Sequence, residues 1–401
     1  MANPPRPRAP PGRSVACPGL LPIDQSSAGF ETEEELWKWI LMYRSQDIKT
    51  VHLEITTKCN ATCPMCLRSV LGGKINPQLP LVELGLQDIK SIFNERFVAQ
   101  LDRIYMCGNY GDPIVASDTL EAFQYFRDIN PQIRLELFTN GSARNETWWK
   151  RLASAVDLCR FGIDGLEDTN HLYRRGTKWP LIMRNIEAYI GEGGTAHWDF
   201  IVFRHNEHQI EQARELSFKL GFKSFQVKKT GRFFSNSQAK VKTQQEVLSA
   251  KGELEYHIEM PKDPQYINAS LAQESKIEQE HGSLRSFLER VSVNCKVAQE
   301  KSIYVSGEGH VFPCCWTANQ LYPWYRKPKT GEIWSLLGRL PNGLDDLDGR
   351  RRPISEIIDG EFFQKLIPGG WEKPTFAEGK IYVCAKTCGS RKFDPFKAQF
   401  R

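Results

Sequence analysis

The sequence predicts an α/β fold: a partial (β/α)6, TIM-like barrel, followed by a small α+β, cysteine-rich unit. Three observations carry this prediction. Six strand-like runs alternate with helical runs between residues 50 and 228, at a spacing that suits parallel strands joined by right-handed crossovers. The texture turns polar from about 232 to 290. Beyond 291, short strands return together with a second set of cysteines. Six units are too few for a closed eight-stranded barrel but suit an open, curved one. Its reactive groups are expected at the C-terminal ends of the strands.

The chain opens with "MANPPRPRAPPGRSVACPGLLP", which lacks the continuous apolar run of a secretory signal. Residues 1–30 are expected to be disordered, and 31–231 to form the barrel. A helix is expected near 32–45 ("ETEEELWKWILMYR"). Strands follow at 50–56, 101–107, 133–138, 156–163, 196–203 and 222–228. Helices are expected between them at 84–97, 117–129, 145–155, 180–191 and 206–220. Asn145 and Asn206 stand where N-caps belong, each ahead of a run with Glu in its first turn. Gly221 stands where a C-cap glycine belongs. Residues 232–290, mixed in charge and poor in large apolar side chains, read as a polar linker with helical pieces. Residues 291–401 form the second unit, with short strands in "KSIYVSGEGHVFPCC" and a Trp-rich middle.

The bulk numbers exclude several classes. No stretch reaches eighteen apolar residues, so no membrane span is expected. A net charge of +5, from 53 basic and 48 acidic side chains, is too small and scattered to argue for nucleic acid. Eleven cysteines in a long chain without a secretory signal point to reduced thiols and metal, and to the cytoplasm. They cluster at 59, 63 and 66, at 295, 314 and 315, and at 384 and 388, while Cys17, Cys107 and Cys159 stand apart.

"EITTKCNATCPMCLRS" places Cys59, Cys63 and Cys66 in the loop after the first strand. A structural zinc ion closes its tetrahedron with four ligands, and a disulfide needs an even number. Three thiolates on an iron–sulfur cubane leave one iron open for another ligand. A zinc knuckle is the alternative, but no fourth Cys or His follows within 40 residues.

The Cys-x3-Cys-x2-Cys spacing after strand one resembles the radical S-adenosylmethionine (radical SAM) enzymes, and the resemblance runs through residues 50–230. It implies a [4Fe–4S] cluster on Cys59, Cys63 and Cys66 whose open iron chelates S-adenosylmethionine (SAM). It implies reductive SAM cleavage to a 5'-deoxyadenosyl radical that abstracts hydrogen from a substrate. An external one-electron reductant of the flavodoxin or ferredoxin type is then a partner. Met65 stands where the family commonly has an aromatic residue near adenine. "CGNYGDPI" resembles the family's Gly-Gly-Glu-Pro segment, so that Gly108, Asn109, Gly111, Asp112 and Pro113 are expected around the SAM amino group. The glycines there would let backbone approach the ligand.

Thr139 and Asn140, ending strand three, are expected to hydrogen-bond SAM. Strand four ends in "GIDGLEDTNHLYRRGTKW", which resembles a stretch of relatives with extra clusters. There Asp164 is expected to bind a hydroxyl pair, with His171 and Arg175 as covers or ordinary loop residues. Arg204 is a candidate for the SAM carboxylate. Lys228 and Arg232 read first as rim charges, and otherwise as partners of an anionic substrate group. Cys107 ends strand two, where a thiol can return a hydrogen atom to a substrate radical. A lone strand cysteine is more often a small buried hydrophobe, which is the reading for Cys159.

Cys295, the hairpin with Gly309, and Cys314 after Pro313 resemble the opening of the auxiliary-cluster domains called SPASM and Twitch. With Cys384 and Cys388 they imply one auxiliary [4Fe–4S] cluster, Cys315 being an alternative or supernumerary ligand. Four thiolates suit zinc equally well. The expected function is a radical SAM enzyme acting on a peptide or protein side chain, or a small metabolite, for oxidation or crosslinking. The rival from another class is a non-catalytic zinc-binding interaction protein.

Overall fold

Parallel strands form where the alternation places them: β1 (Thr50–Leu53), β2 (Arg103–Met106), β3 (Arg134–Thr139), β4 (Leu158–Gly162), β5 (Ala196–Ile201) and β6 (Ser224–Lys228). Each pairs with the next in chain order. The structure, a computed structural model, describes residues 42–235, 238, 240–389 and 393–394. Alternate strand residues face opposite sides. Val51, Leu53, Ile104, Met106, Leu137, Phe161 and Trp198 are buried in the main core. The other, concave face carries His52, Tyr105, Glu136, Phe138, Arg160 and Asp199. A sheet that curves around a polar interior needs polar side chains there, and that is what the strands supply.

The covering helices are α1 (Leu86–Ile92), α2 (Glu95–Ala99), α3 (Thr119–Ile129), α4 (Glu146–Ala155), α5 (Trp179–Gly191) and α6 (Ile210–Lys219). The single helix expected at 84–97 is two. Asn94 interrupts it and caps α2, its side chain accepting from the Phe97 N–H at 3.0 Å. Asn145 caps α4 as expected, accepting from the Trp148 N–H. Gly221 lies at φ +92°, the left-handed conformation of a C-cap. Asn206 does not cap α6. Its amide bridges backbone instead, accepting from Phe203 N–H and donating to the carbonyls of Asp164 and Ile201. The helix expected near 32–45 falls mostly outside the described residues; 42–44 are not helical, and Ser45–Asp47 make one 3-10 turn.

Two corrections concern the second half of the chain. Residues 232–290, expected as a polar linker with helical pieces, carry strands as well as helices among their described residues. A pair of two-residue strands, β7 (Phe234–Ser235) and β8 (Lys240–Val241), is followed by a hairpin of β9 (Gln244–Leu248) and β10 (Leu254–Glu259). After a single helical turn at Ala269–Ala272 come α7 (Glu274–His281) and α8 (Leu284–Glu289). Val247, Ile258, Ile277, Leu284 and Leu288 are buried in one cluster with Ala61, Cys63, Tyr173 and Phe203. This segment is therefore a cap packed on the three-cysteine loop. Leu248 N–H donates to the Leu71 carbonyl, and Arg175 pairs with Glu255 and Tyr256 of the hairpin.

The C-terminal segment does not have a sheet of its own. Its strand β11 (Ser302–Val305) pairs parallel with β1, in register from Thr50↔Ser302 to Leu53↔Val305, and β12 (Val311–Phe312) runs antiparallel beyond it. One eight-stranded sheet results, in the order β12-β11-β1-β2-β3-β4-β5-β6. Residues from Met42 onward hold together as one unit. Among the described residues no helix is long and apolar enough to cross a membrane.

Candidate active site

The loop after β1 is pinned at both ends. Thr56 and Thr57 hydroxyls donate to the carbonyls of Val82 and Pro80. Asn60 donates to the Ser142 carbonyl at 2.8 Å and accepts from Asn140 at 2.9 Å, tying the loop to the end of β3. Between these ties sit the three cysteines. Cys59 Sγ accepts from Ala61 N–H at 3.3 Å, with Asn140 Nδ2 at 3.7 Å. Cys63 is buried, and its carbonyl accepts from Cys66 N–H. Cys66 Sγ lies 3.6 Å from the Asn109 carbonyl.

Burial pushes the Cys59 thiol well up, with further upward pushes from Asp112, Cys63 and Cys66. Burial also raises Cys63, which Arg174 and Arg232 pull back down. Metal ligation requires thiolates. Three crowded thiols that resist ionisation are stabilised as thiolates by a polyvalent cationic centre, so the donor set fits a cluster. Among the described residues no three His, Cys, Asp or Glu side chains converge as ligands of a single ion. A cubane places each thiolate on a different iron, and therefore asks for sulfurs around a volume rather than a point.

The neighbouring strand ends are built differently from expectation. The glycines of 108–113 serve protein contacts. A Cβ on Gly108 would meet the Gly111 carbonyl oxygen at 1.7 Å, and one on Gly111 would meet the Thr56 carbonyl oxygen at 1.8 Å. Asp112 spends its carboxylate on backbone, accepting from Ile114 N–H and from Asn140 N–H; Pro113 opens a short buried turn. Thr139 accepts from Gly141 N–H. Asp164 is fully buried, one oxygen accepting from Arg174 Nε and the other from Ile201 N–H, both at 2.6 Å. Arg204 is 55% exposed and pairs with Glu259 at 3.0 Å, on the cap's outer side chains. His171 is exposed. Asn140, Met65 and Asn109 stay beside the cysteines. Arg232, read first as a rim charge, donates to Tyr173 Oη at 2.9 Å and acts on Cys63 and Cys66.

Residues 53–216 match the family described as the Radical SAM superfamily. The chain carries a radical SAM domain. Among solved structures, it is similar to anSMEcpe with bound AdoMet (14% identity, 86% of each chain, TM-score 0.48). It is also similar to Streptococcus suis SuiB bound to S-adenosylmethionine (10% identity, 84% of this chain and 77% of that one, TM-score 0.47). A third is BtrN in complex with AdoMet and 2-DOIA (14% identity, 84% and 92%, TM-score 0.40).

Sequence reasoning missed one residue central to the radical SAM domain's architecture. Glu54, on the concave side after β1, accepts from Tyr110 N–H at 2.7 Å and Gly111 N–H at 2.9 Å, and from the Tyr304 hydroxyl of β11. It is 1% exposed, and burial raises its pKa to about 7 against these hydrogen bonds. The signal was present: Glu54 follows His52 by two residues and so continues the polar face of that strand. Cys107 is half-buried beside it, and burial pushes its thiol up to about 12, with Lys228 pulling the other way. Cys159 is fully buried in the main core.

The second cysteine set lines one cavity of the C-terminal segment, outside the residues matched by the family. Cys295 precedes α9 (Lys296–Gln299), Cys314 precedes α10 (Cys315–Ala318), and Cys384 and Cys388 lie on α11 (Tyr382–Cys388). The four thiols share this cavity with Val293, Trp316 and Trp371. Cys388 is lowered to about 7, first by a hydrogen bond from Cys295 and then by Lys296. Cys315 is not among the lining residues. As the next residue on α10 it points elsewhere, toward Cys107 and Glu54 of the barrel.

Proposed function

We propose that this chain is a radical SAM enzyme that modifies an unreactive C–H bond of a peptide or protein side chain, or of a small metabolite. The observation that carries this reading is the three-cysteine loop at the C-terminal end of β1, ringed by ties to β3 and roofed by the cap. Cys59, Cys63 and Cys66 would hold a [4Fe–4S] cluster. When bound, it supplies the electron that cleaves SAM to a 5'-deoxyadenosyl radical, which takes hydrogen from substrate.

The chain's own residues have supporting roles. Asn109, whose carbonyl neighbours Cys66, is the acceptor for the SAM ammonium. This replaces the Asp112 carboxylate, which is committed to backbone. Asn140 fixes the loop and offers its amide to Cys59. Arg174 and Arg232 supply positive charge beside Cys63. The cap of residues 234–289 excludes water from the loop. Cys107 keeps its S–H because burial disfavours the thiolate, and so suits a hydrogen-atom donor.

Cys295, Cys314, Cys384 and Cys388 would hold an auxiliary [4Fe–4S] cluster in a SPASM- or Twitch-like arrangement, aiding oxidation or crosslinking. The reductant is a flavodoxin- or ferredoxin-type protein. The test is anaerobic reconstitution with iron and sulfide, then addition of reductant and SAM. Formation of 5'-deoxyadenosine supports the reading; a fully loaded but inert protein refutes it. Two zincs per chain and no brown colour would establish the zinc-binding alternative.

A further inference from the structure

One buried polar atom beside the second cysteine set lacks a partner. Trp371 lines the cavity shared by Cys295, Cys314, Cys384 and Cys388. Its indole Nε1 is buried and has no hydrogen-bond partner in the protein. Other indoles of this chain are satisfied. Trp149, Trp198 and Trp334 donate to the carbonyls of Ala143, Ile163 and Leu321, at 2.9, 2.8 and 3.0 Å. A buried Trp N–H is nearly always paired in this way. Among the described residues Trp371 carries the buried indole N–H that breaks the pattern, so it calls for an acceptor that the polypeptide does not supply.

The backbone fixes where that N–H sits. Trp371 ends the short helix Ile367–Trp371, and Gly370 beside it is pressed against the residue that precedes α11. Ile381 N–H donates to the Gly370 carbonyl at 3.2 Å, and a Cβ on Gly370 would meet the Ile381 side chain at 2.5 Å. Tyr382 N–H, at the start of α11, donates to the Glu332 carboxylate at 2.8 Å. Since α11 carries Cys384 and Cys388, the indole and these two thiols are held by one brace. Cys384 is a thiol on which Trp371 acts, so sulfur is the acceptor at hand. Among the described residues the thiols do not converge on a single ion, as the four ligands of zinc would. A cluster set between them brings sulfide acceptors of its own.

We propose that Trp371 donates its indole N–H to sulfur at the Cys384 corner of the auxiliary cluster, and so raises that cluster's reduction potential. A donor to cluster sulfur stabilises the added negative charge of the reduced state. The proposal rests on the auxiliary-cluster reading in taking the four thiols as ligands of iron.

The test is a redox titration, followed by electron paramagnetic resonance, of the reconstituted full-length chain carrying Cys63→Ala. The remaining signal then comes from the C-terminal cavity. Trp371→Phe keeps a ring and removes the N–H. About four irons per chain are expected with and without this second substitution. The reduction equilibrium should shift about tenfold against the reduced state, a potential about 59 mV more negative for one electron. An unchanged or more positive potential at equal iron content overturns the proposal. A second measurement needs no change at Trp371. With nitrogen-15 at the indole nitrogens, the electron spin of the reduced cluster should couple to a nitrogen-15 nucleus. The coupling should persist in Trp316→Phe, because Trp316 also lines the cavity. No coupling, or a coupling lost in Trp316→Phe, overturns the proposal even where Trp371→Phe does not load iron. Zinc in place of iron sinks the auxiliary-cluster reading and this inference with it. Iron with neither the shift nor the coupling sinks this inference alone.

Discussion

At the residue scale, Glu54 joins three parts of the molecule with one carboxylate: its own strand, the 108–113 loop and Tyr304 of the C-terminal segment. Its folded pKa, raised to about 7, lies above the unfolded value near 4.5. The protonated form is therefore favoured by folding. Its contribution is present in full below about pH 4.5 and is lost as pH rises toward 7. The span corresponds to roughly 3 kcal/mol as an order of magnitude. Glu54→Gln preserves the acceptor for Tyr110 and Gly111 but does not titrate. Denaturant melts at pH 5 and pH 8 should show the variant gaining relative to the natural protein at the higher pH. A pH-independent difference would contradict this account. Gly111→Ala is expected to be far more damaging, because its Cβ would strike backbone at Thr56 and no rotamer relieves that clash. Failure of soluble expression, or loss of several kcal/mol of stability, is the expected result. Cys63→Ala should remove about four irons per chain and abolish 5'-deoxyadenosine formation, with the remaining cysteine set still loaded.

At the element scale, the cap is held by few but well-placed apolar side chains. Ile258 is 1% exposed within the cluster that contains Cys63. Ile258→Ala should cost about 2–4 kcal/mol, and limited proteolysis should then cut first within 244–259. Equal resistance to protease would mean that the hairpin is held by something else. The contrast with the strands explains what the sequence could reveal. The six barrel strands each show alternation over four or more residues against an apolar partner layer, and such a pattern is local. The cap's burial depends on Val247, Ile258, Ile277 and Leu288 meeting residues some 200 positions earlier, and no window of sequence contains both sides of that contact. The site shows the same division. The spacing of Cys59, Cys63 and Cys66 is local and stood out in the sequence, whereas the second cysteine set is brought together only by the fold. The duties of Asp112, Asp164 and Arg204 are set by distant backbone and by Glu259, so their residue types suggested ligands while their surroundings made them braces.

At the scale of the whole molecule, the four thiols at 295, 314, 384 and 388 gather in one cavity although 93 positions separate the first from the last. Cys388→Ala should lower iron from about eight to about four per chain while the barrel's cluster remains. Unchanged iron would show that this cavity holds none. The parallel ladder between β1 and β11 bears on how the protein is made. While the ribosome is still translating residues before 302, β1 has a bare hydrogen-bonding edge, and such an edge invites pairing with other chains. Closure of that seam must therefore wait for the last quarter of the polypeptide, or a chaperone must shield it until then.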